Sequence, residues 1–284
     1  MIRISKIFLL TLLVSLPLFS SLLRIEPEEL TKNLEKFKIL DTRESSVYKE
    51  GHIDGALNFP VSLTYEHITT NGKLTTPIKM QKIIQELGLD TNSAIVIYDD
   101  GTFFDASRLF WALEVYGFTN VKLLNTGYKN WKSLKYQTST NTPNVKKSSY
   151  IAQVNSNRLA TKFTTQIATK NPNQIIIDAR ANQAYLGQKS SAKRFGHIPK
   201  AINYPAAHNI ANQKLQTIDN LQKLYSDVDK SKKVVLYCAI GRIAATNYFA
   251  LRELEYDVAN YDASWKEWGN DNTLPITNPS QNKE

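Results

Sequence analysis

Cysteine is nearly absent from this chain of 284 residues: there is one, Cys238, so an internal disulfide is excluded. In an oxidising compartment a lone cysteine is an unpaired, reactive thiol, which fits a catalytic role better than a structural one. Histidine is scarce too. Of the four, His67 and His208 have no partners at ligand spacing, and nothing in the sequence resembles a metal site. A long Lys/Arg block is also missing. The formal charge of +9 is spread along the chain, which describes a soluble basic surface and not a nucleic-acid interface, while favouring encounter with small anions. What remains is ordinary: the apolar and charged fractions, 42% and 21%, are those of a globular protein, and the length leaves room for two domains with a core each.

At the N-terminus, Arg3 and Lys6 precede an apolar run from Ile7 to Leu18, with small residues around Ser20 and Ser21. Charge, length and order are those of a secretory signal peptide, so residues 1–23 are set apart from the fold and export to the periplasm or beyond is predicted. An uncleaved membrane anchor is the rival reading, because no clean small-x-small cleavage site is visible and Leu22-Leu23 prolong the apolar stretch.

From Ile25 onward, strands alternate with helices. A short helix at Glu26–Leu30 leads to a strand from Phe37 to Leu40, a helix around Ile78 to Leu87 and a strand from Ala94 to Tyr98. A helix around Ala106 to Tyr116 and a strand from Val121 to Leu124 follow. Such alternation predicts an α/β fold, a parallel sheet flanked by helices. The order then repeats. Ile175-Ile176-Ile177-Asp178-Ala179-Arg180 echoes Ile39-Leu40-Asp41-Thr42-Arg43, and Gly196-His197-Ile198 echoes Gly51-His52-Ile53. Val235-Leu236-Tyr237-Cys238 echoes Val96-Ile97-Tyr98-Asp99, and Lys266-Glu267-Trp268 echoes Lys129-Asn130-Trp131. An internal duplication is expected, with domains at 24–136 and 150–276, a polar linker at 137–149 and a polar tail at 277–284.

The stretch around the cysteine carries the chemistry. Val234 to Tyr237 reads as a buried strand and Ala244 to Leu254 as an apolar helix, with Cys238 on the turn between them. A loop from Cys238 to Ile243 closing onto a helix N-terminus aims backbone N–H groups inward, and the helix dipole adds positive potential, which favours the anionic form of the sulfur. Gly241 lets the loop turn and Arg242 brings a permanent cation to its rim. The bland alternative is a small buried hydrophobe at a strand end. The equivalent position of the first copy holds Asp99, followed by Asp100-Gly101-Thr102-Phe103-Phe104-Asp105; a carboxylate there can be held as an anion but cannot carry sulfur, so the first domain is expected to be inactive.

At these residues, and at Gly196-His197-Ile198-Pro199, Asp178-Ala179-Arg180 and Asp262-Ala263-Ser264-Trp265, the chain resembles the rhodanese family, in particular its tandem-domain sulfurtransferases. The resemblance implies two rhodanese-like domains and a catalytic Cys238 that takes sulfur from thiosulfate or 3-mercaptopyruvate as a persulfide. Cyanide or a thiol then accepts the sulfur, with no metal or organic cofactor. It further implies donor binding by the loop residues Ala239, Ile240, Gly241, Arg242 and Ile243, helped by an arginine upstream of the Gly-His-Ile-Pro motif. The candidate there is Arg194, against a solvated surface role; Lys189 and Lys193 are the other cations of that interval, where Ala184-Tyr185 replaces the family's Arg-Phe. Arg180 is expected in a structural salt bridge, His52 and His197 in structural roles at the two repeats, and Trp265 and Trp268 in packing.

The loop departs from both familiar patterns of the family, since Ala239-Ile240 supply neither the cations of thiosulfate enzymes nor the serine of mercaptopyruvate enzymes. Without a loop hydroxyl, thiosulfate is the preferred reading of the donor. Two alternatives remain open: a non-catalytic sulfur carrier or redox partner, and a cysteine phosphatase of the same fold. The second would need an arginine where the chain has Ala244.

Overall fold

The computed structural model describes residues 23–69 and 71–281. Most of the expected leader lies outside the described residues, and so do the last three residues of the expected tail. Two five-stranded parallel sheets form among the described residues, and their strand orders match. In space the first runs Arg24–Ile25, Val121–Leu124, Ile95–Tyr98, Lys38–Asp41, Leu57–Asn58. The second runs Leu159–Ala160, Val258–Tyr261, Lys233–Tyr237, Gln174–Asp178, Ile202–Asn203.

The repeat extends to single atoms. Arg43 and Arg180 each hold the carboxylate two residues back (Asp41, Asp178) and donate to a glycine carbonyl, Gly51 or Gly196, at 2.8 Å in both copies. Tyr98 and Tyr237 donate to the same two carboxylates at 2.6 Å, and His52 and His197 stack on Tyr48 and Tyr185 with ring centroids 3.8 and 3.9 Å apart. These paired networks tie the carboxyl end of a central strand to the following turn and pair the buried charges of Asp41, Asp178 and Arg180.

The domains join through the helices Phe104–Val115 and Ala244–Glu253, which are apolar around most of their circumference because each is covered by its own sheet and by the other domain. Phe110 meets Phe249 edge-on at 5.0 Å, and Glu114 receives hydrogen bonds from Tyr248 and Arg252 across the boundary.

The structure adds contacts at four of the expected boundaries. Leu23, placed in the leader, belongs to the first sheet, where its carbonyl accepts from Leu123 N–H at 2.8 Å. The linker is no free tether: Thr138–Ser139 pairs with His52–Ile53, and Ser148 donates to the Leu89 carbonyl at 2.6 Å. Its polar side chains satisfy the surface of the first domain, a contact that composition does not reveal. The chain also stays on that domain past residue 150, with Asn155 N–H bonded to the Val115 carbonyl at 2.7 Å. The tail docks as well, since Thr277 pairs with His197 and Ser280 donates to the Leu186 carbonyl.

Candidate active site

Lys233–Tyr237 is the central strand of its sheet, buried and paired on both sides, so the chain leaves it at the carboxyl edge where open parallel sheets place their sites. Cys238 is the first residue beyond it and is 1% exposed. Its N–H donates to Ser264 Oγ at 3.1 Å, its carbonyl accepts from Trp265 N–H at 3.0 Å, and the Ala239 carbonyl accepts from Lys266 N–H at 3.0 Å. The loop is thus fixed at its start. At Gly241 the backbone is left-handed, with φ +68°, and a Cβ would stand 2.4 Å from the Asp262 carbonyl oxygen, so glycine is required for both conformation and space. Among the described residues, the N–H groups of Ala239 through Ile243 have no protein acceptor. They lie between the thiol and the N-terminus of helix Ala244–Glu253, an arrangement that can hold an anion.

The other domain completes the site, through residues that the motifs around Cys238 do not name. Its residues 64–69 and 71–74 lie across the Cys238 loop. A Cβ on Gly72 would fall 2.4 Å from the Ile240 carbonyl oxygen, and Leu74 N–H donates to Asp262 Oδ2 at 2.8 Å. Arg108, fully buried in helix Phe104–Val115, donates to the Gly241 carbonyl at 3.1 Å, to the Gly72 carbonyl at 3.0 Å and to Thr64 Oγ1 at 3.3 Å. Its guanidinium sits 4.2 Å from the ring centroid of Tyr65 and 4.6 Å from that of Trp111. Among the described residues, no carboxylate bonds it directly. Burial lowers its pKa, and the charges of Tyr65, Asp262 and Cys238 oppose that shift, which places a deep cation within electrostatic reach of the sulfur. Burial likewise raises the Asp262 carboxyl above the usual range, against hydrogen bonds from Leu74 and Ala263 and the charge of Arg108.

Arg242 stands at the rim as expected, but it is engaged: Nε and Nη2 hold Asp105 of the first domain at 2.5 and 2.8 Å. A donor reaching this cation meets it already paired. Ala239, Ile240 and Ile243 are half-buried around the same opening.

The first domain carries the counterpart without a thiol. Asp99 is the first residue beyond strand Ile95–Tyr98 and accepts from Gly101 N–H at 2.8 Å and from Ala106 N–H at 3.4 Å, so the carboxylate fills its own cradle. Burial pushes it up to about 6, against the pull of the Gly101 and Phe103 N–H groups. Just as the segment that carries Tyr65 and Gly72 lies over the Cys238 loop, a hairpin of the second domain, Ile210–Ala211 paired with Lys214–Leu215, covers the Asp99 side through Leu215 N–H to Asn125 Oδ1 at 2.9 Å.

Arg194 does not join the site. Its guanidinium donates to the carbonyls of Leu274 at 2.7 Å, Trp268 at 2.8 Å, Gly269 at 3.3 Å and Asp271, binding the C-terminal end of helix Ser264–Trp268 to the segment after it. Cys238 lies against the opposite end of that helix. A sequence window cannot distinguish an arginine facing carbonyls from one facing a ligand, hence the expectation of donor binding. Lys193 is exposed, with its N–H on Asn270. Trp265 and Trp268 are buried, with their indole N–H groups on Ser190 and the Pro275 carbonyl.

Comparison with known proteins gives a consistent picture. The rhodanese-like domain family matches residues 26–134 and again 160–271. The thiosulfate sulfurtransferase of Corynebacterium glutamicum is 28% identical over 256 residues, covering 84% of this chain and 84% of its own. The 3-mercaptopyruvate sulfurtransferase of Escherichia coli is 27% identical over 243 residues, covering 83% of this chain and 86% of its own. The crystal structure of SseA from Escherichia coli superposes with a TM-score of 0.78 at 24% identity, over 87% of this chain and all of that one.

Proposed function

Because the chain belongs to the rhodanese-like domain family and carries that domain twice, we propose that it is a sulfurtransferase whose nucleophile is Cys238. One observation carries this reading: the only thiol of the chain opens a loop with five unpaired N–H groups at a helix N-terminus, where the cysteine-free copy holds a carboxylate in the same kind of cradle. Only one of the two carries sulfur.

In the first half-reaction Cys238 Sγ attacks the outer sulfur of thiosulfate. A new S–S bond forms, the old one breaks, and sulfite departs with its electron pair; from 3-mercaptopyruvate the leaving group is pyruvate. The product is a Cys238 persulfide whose terminal charge the loop N–H groups stabilise, as preorganised donors do where charge accumulates. In the second half-reaction cyanide or a thiol attacks the outer sulfur, and the Cys238 thiolate leaves unchanged. Arg108 and Arg242 supply positive potential to the anionic donor from both domains. Thiosulfate is the favoured donor, since residues 238–243 contain no hydroxyl to pass a proton to a carbonyl and Ser264 Oγ is spent on the Cys238 N–H and the Tyr261 carbonyl. Export is part of the same proposal, resting on Arg3, Lys6 and the apolar run after them.

The test is mass spectrometry of the protein after exposure to thiosulfate, paired with steady-state turnover on thiosulfate and on 3-mercaptopyruvate, with Cys238→Ser as the blank. A one-sulfur adduct on the peptide containing Cys238 and thiocyanate production that vanishes in the variant are expected. Turnover that survives in Cys238→Ser refutes the proposal; an adduct that forms but is never passed on identifies a sulfur carrier instead.

A further inference from the structure

We propose that the Tyr65 hydroxyl, supplied by the cysteine-free domain, is a catalytic group of the Cys238 site, donating a hydrogen bond to the sulfur under transfer. The proposal rests on the sulfurtransferase reading and adds to it a residue from the other half of the molecule.

Tyr65 is 5% exposed, and its Oη is a buried polar atom with no hydrogen-bond partner. Leaving a buried hydroxyl unpaired is unfavourable, and such orphans are few in folded proteins unless something absent from the structure occupies the position. The tyrosine is also held firmly. Its backbone pairs with Leu74, whose N–H is anchored on Asp262 of the second domain at 2.8 Å, and its ring lies against the Arg108 guanidinium at 4.2 Å. The charged groups that act on the phenol are Arg108, Cys238, Arg242 and Asp105, which are the nucleophile, the buried guanidinium beside the ring and the Arg242–Asp105 ion pair. Burial raises the phenol above its usual pKa, so the hydroxyl keeps its proton and can only lend it.

Two neighbouring hydroxyls are already committed. Ser264 Oγ donates to the Tyr261 carbonyl at 2.7 Å and accepts from Cys238 N–H; Thr64 Oγ1 donates to the Val61 carbonyl at 2.7 Å and accepts from Arg108. The loop itself offers none. Tyr65 Oη is a free donor at this junction among the described residues; Ser107 Oγ and Thr246 Oγ1, on the two interface helices, are also unpartnered, but Tyr65 alone of the three belongs to the segment laid against the Cys238 loop. As the donor's S–S bond breaks and sulfite leaves with the electron pair, negative charge settles on the outer sulfur of the persulfide, and an O–H aimed there stabilises it without proton transfer.

Tyr65→Phe removes the hydroxyl and keeps the ring beneath Arg108. With thiosulfate as the probe, the rate of adduct formation on Cys238 in rapid-quench mass spectrometry should fall about tenfold or more, the loss expected for a hydrogen bond to a charged group. Thermal stability should stay the same or rise, because the hydroxyl has no protein partner to lose. A purely structural tyrosine would show the reverse pattern. Loading of Tyr65→Phe at the wild-type rate overturns the assignment of Tyr65 alone, whereas a wild-type protein that takes no sulfur from thiosulfate or 3-mercaptopyruvate overturns the sulfurtransferase reading and this one together.

Discussion

Replacing Gly72 by alanine isolates the contact through which one domain shapes the catalytic loop of the other. An added Cβ would lie 2.4 Å from the Ile240 carbonyl oxygen, 2.6 Å from the Ile240 carbonyl carbon and 2.6 Å from the Asp262 carbonyl oxygen. All three are backbone atoms, so no side chain can swing aside. Ordinary contact begins near 3.4 Å, and relief therefore needs a shift of about 1 Å between the Gly72 segment and the Cys238 loop. Gly72 is not among the glycines with left-handed φ, so alanine is not strained within its own domain and the cost arises from docking. Overpacking of this kind costs about 1–3 kcal/mol. A shift of about 1 Å at a catalytic group can lower the rate by about a hundredfold.

Thermal unfolding and kcat/KM for thiosulfate with cyanide as acceptor, measured on the same preparation, read the two effects separately. Both should fall. Wild-type values for both would show that the domains do not meet as described. A drop in Tm with unchanged kcat/KM would show that the contact holds the domains together without setting the loop, and the coupling would be refuted.

Two further outcomes follow from groups outside the reaction. Arg194→Ala should lose at least about 2 kcal/mol of stability, since its guanidinium bonds four carbonyls around the C-terminal segment, and should leave the donor KM unchanged; chemical denaturation and Michaelis kinetics check the two halves. Asp99, raised by burial from 3.8 to about 6, binds its proton more tightly in the folded chain than in the unfolded one, so its contribution to stability falls as pH rises through that interval. Asp99→Asn should therefore gain on the wild type by up to about 3 kcal/mol between pH 4 and pH 7 in denaturation midpoints, and a gap independent of pH would refute the assignment.

Much of the fold was legible because it is written twice. Tyr98 with Asp41 and Tyr237 with Asp178 repeat the same bond lengths, and the motifs that flank them made the duplication visible before any coordinates. The nucleophile's turn was legible for a local reason: strand, thiol, glycine and helix are consecutive. The charged partners were not. Arg108 lies 130 residues before Cys238 and bonds Gly241 through the domain interface, a relation that no spacing records. Arg194 shows the converse error. It lies in the right interval but faces carbonyls, and only the docking of the segment after Trp268 decides that. The polar linker misled in the same way, because a Ser- and Thr-rich stretch reads as a tether whether or not its hydroxyls find acceptors on a surface.

The matching covers on the two cradles explain why the cysteine-free domain persists as part of the site. Each domain lays one segment over the loop of the other, the one that carries Tyr65 and Gly72 across Cys238 and the 210–215 hairpin across the Asp99 side. Exchanging the thiol for a carboxylate removes chemistry from the first cradle but leaves its cover in place over the second. That cover brings Tyr65 and Gly72, and the helix behind it brings Arg108 and Asp105, so charge, hydroxyl and steric limit at Cys238 come from the half that cannot carry sulfur. A catalytic domain cut free of its partner would keep its nucleophile and loop N–H groups and lose every one of those contributions, including the pairing that holds Arg242 on Asp105. The unit of function is therefore the docked pair, and substitutions along helix Phe104–Val115 belong to the active site as much as those beside Cys238 do.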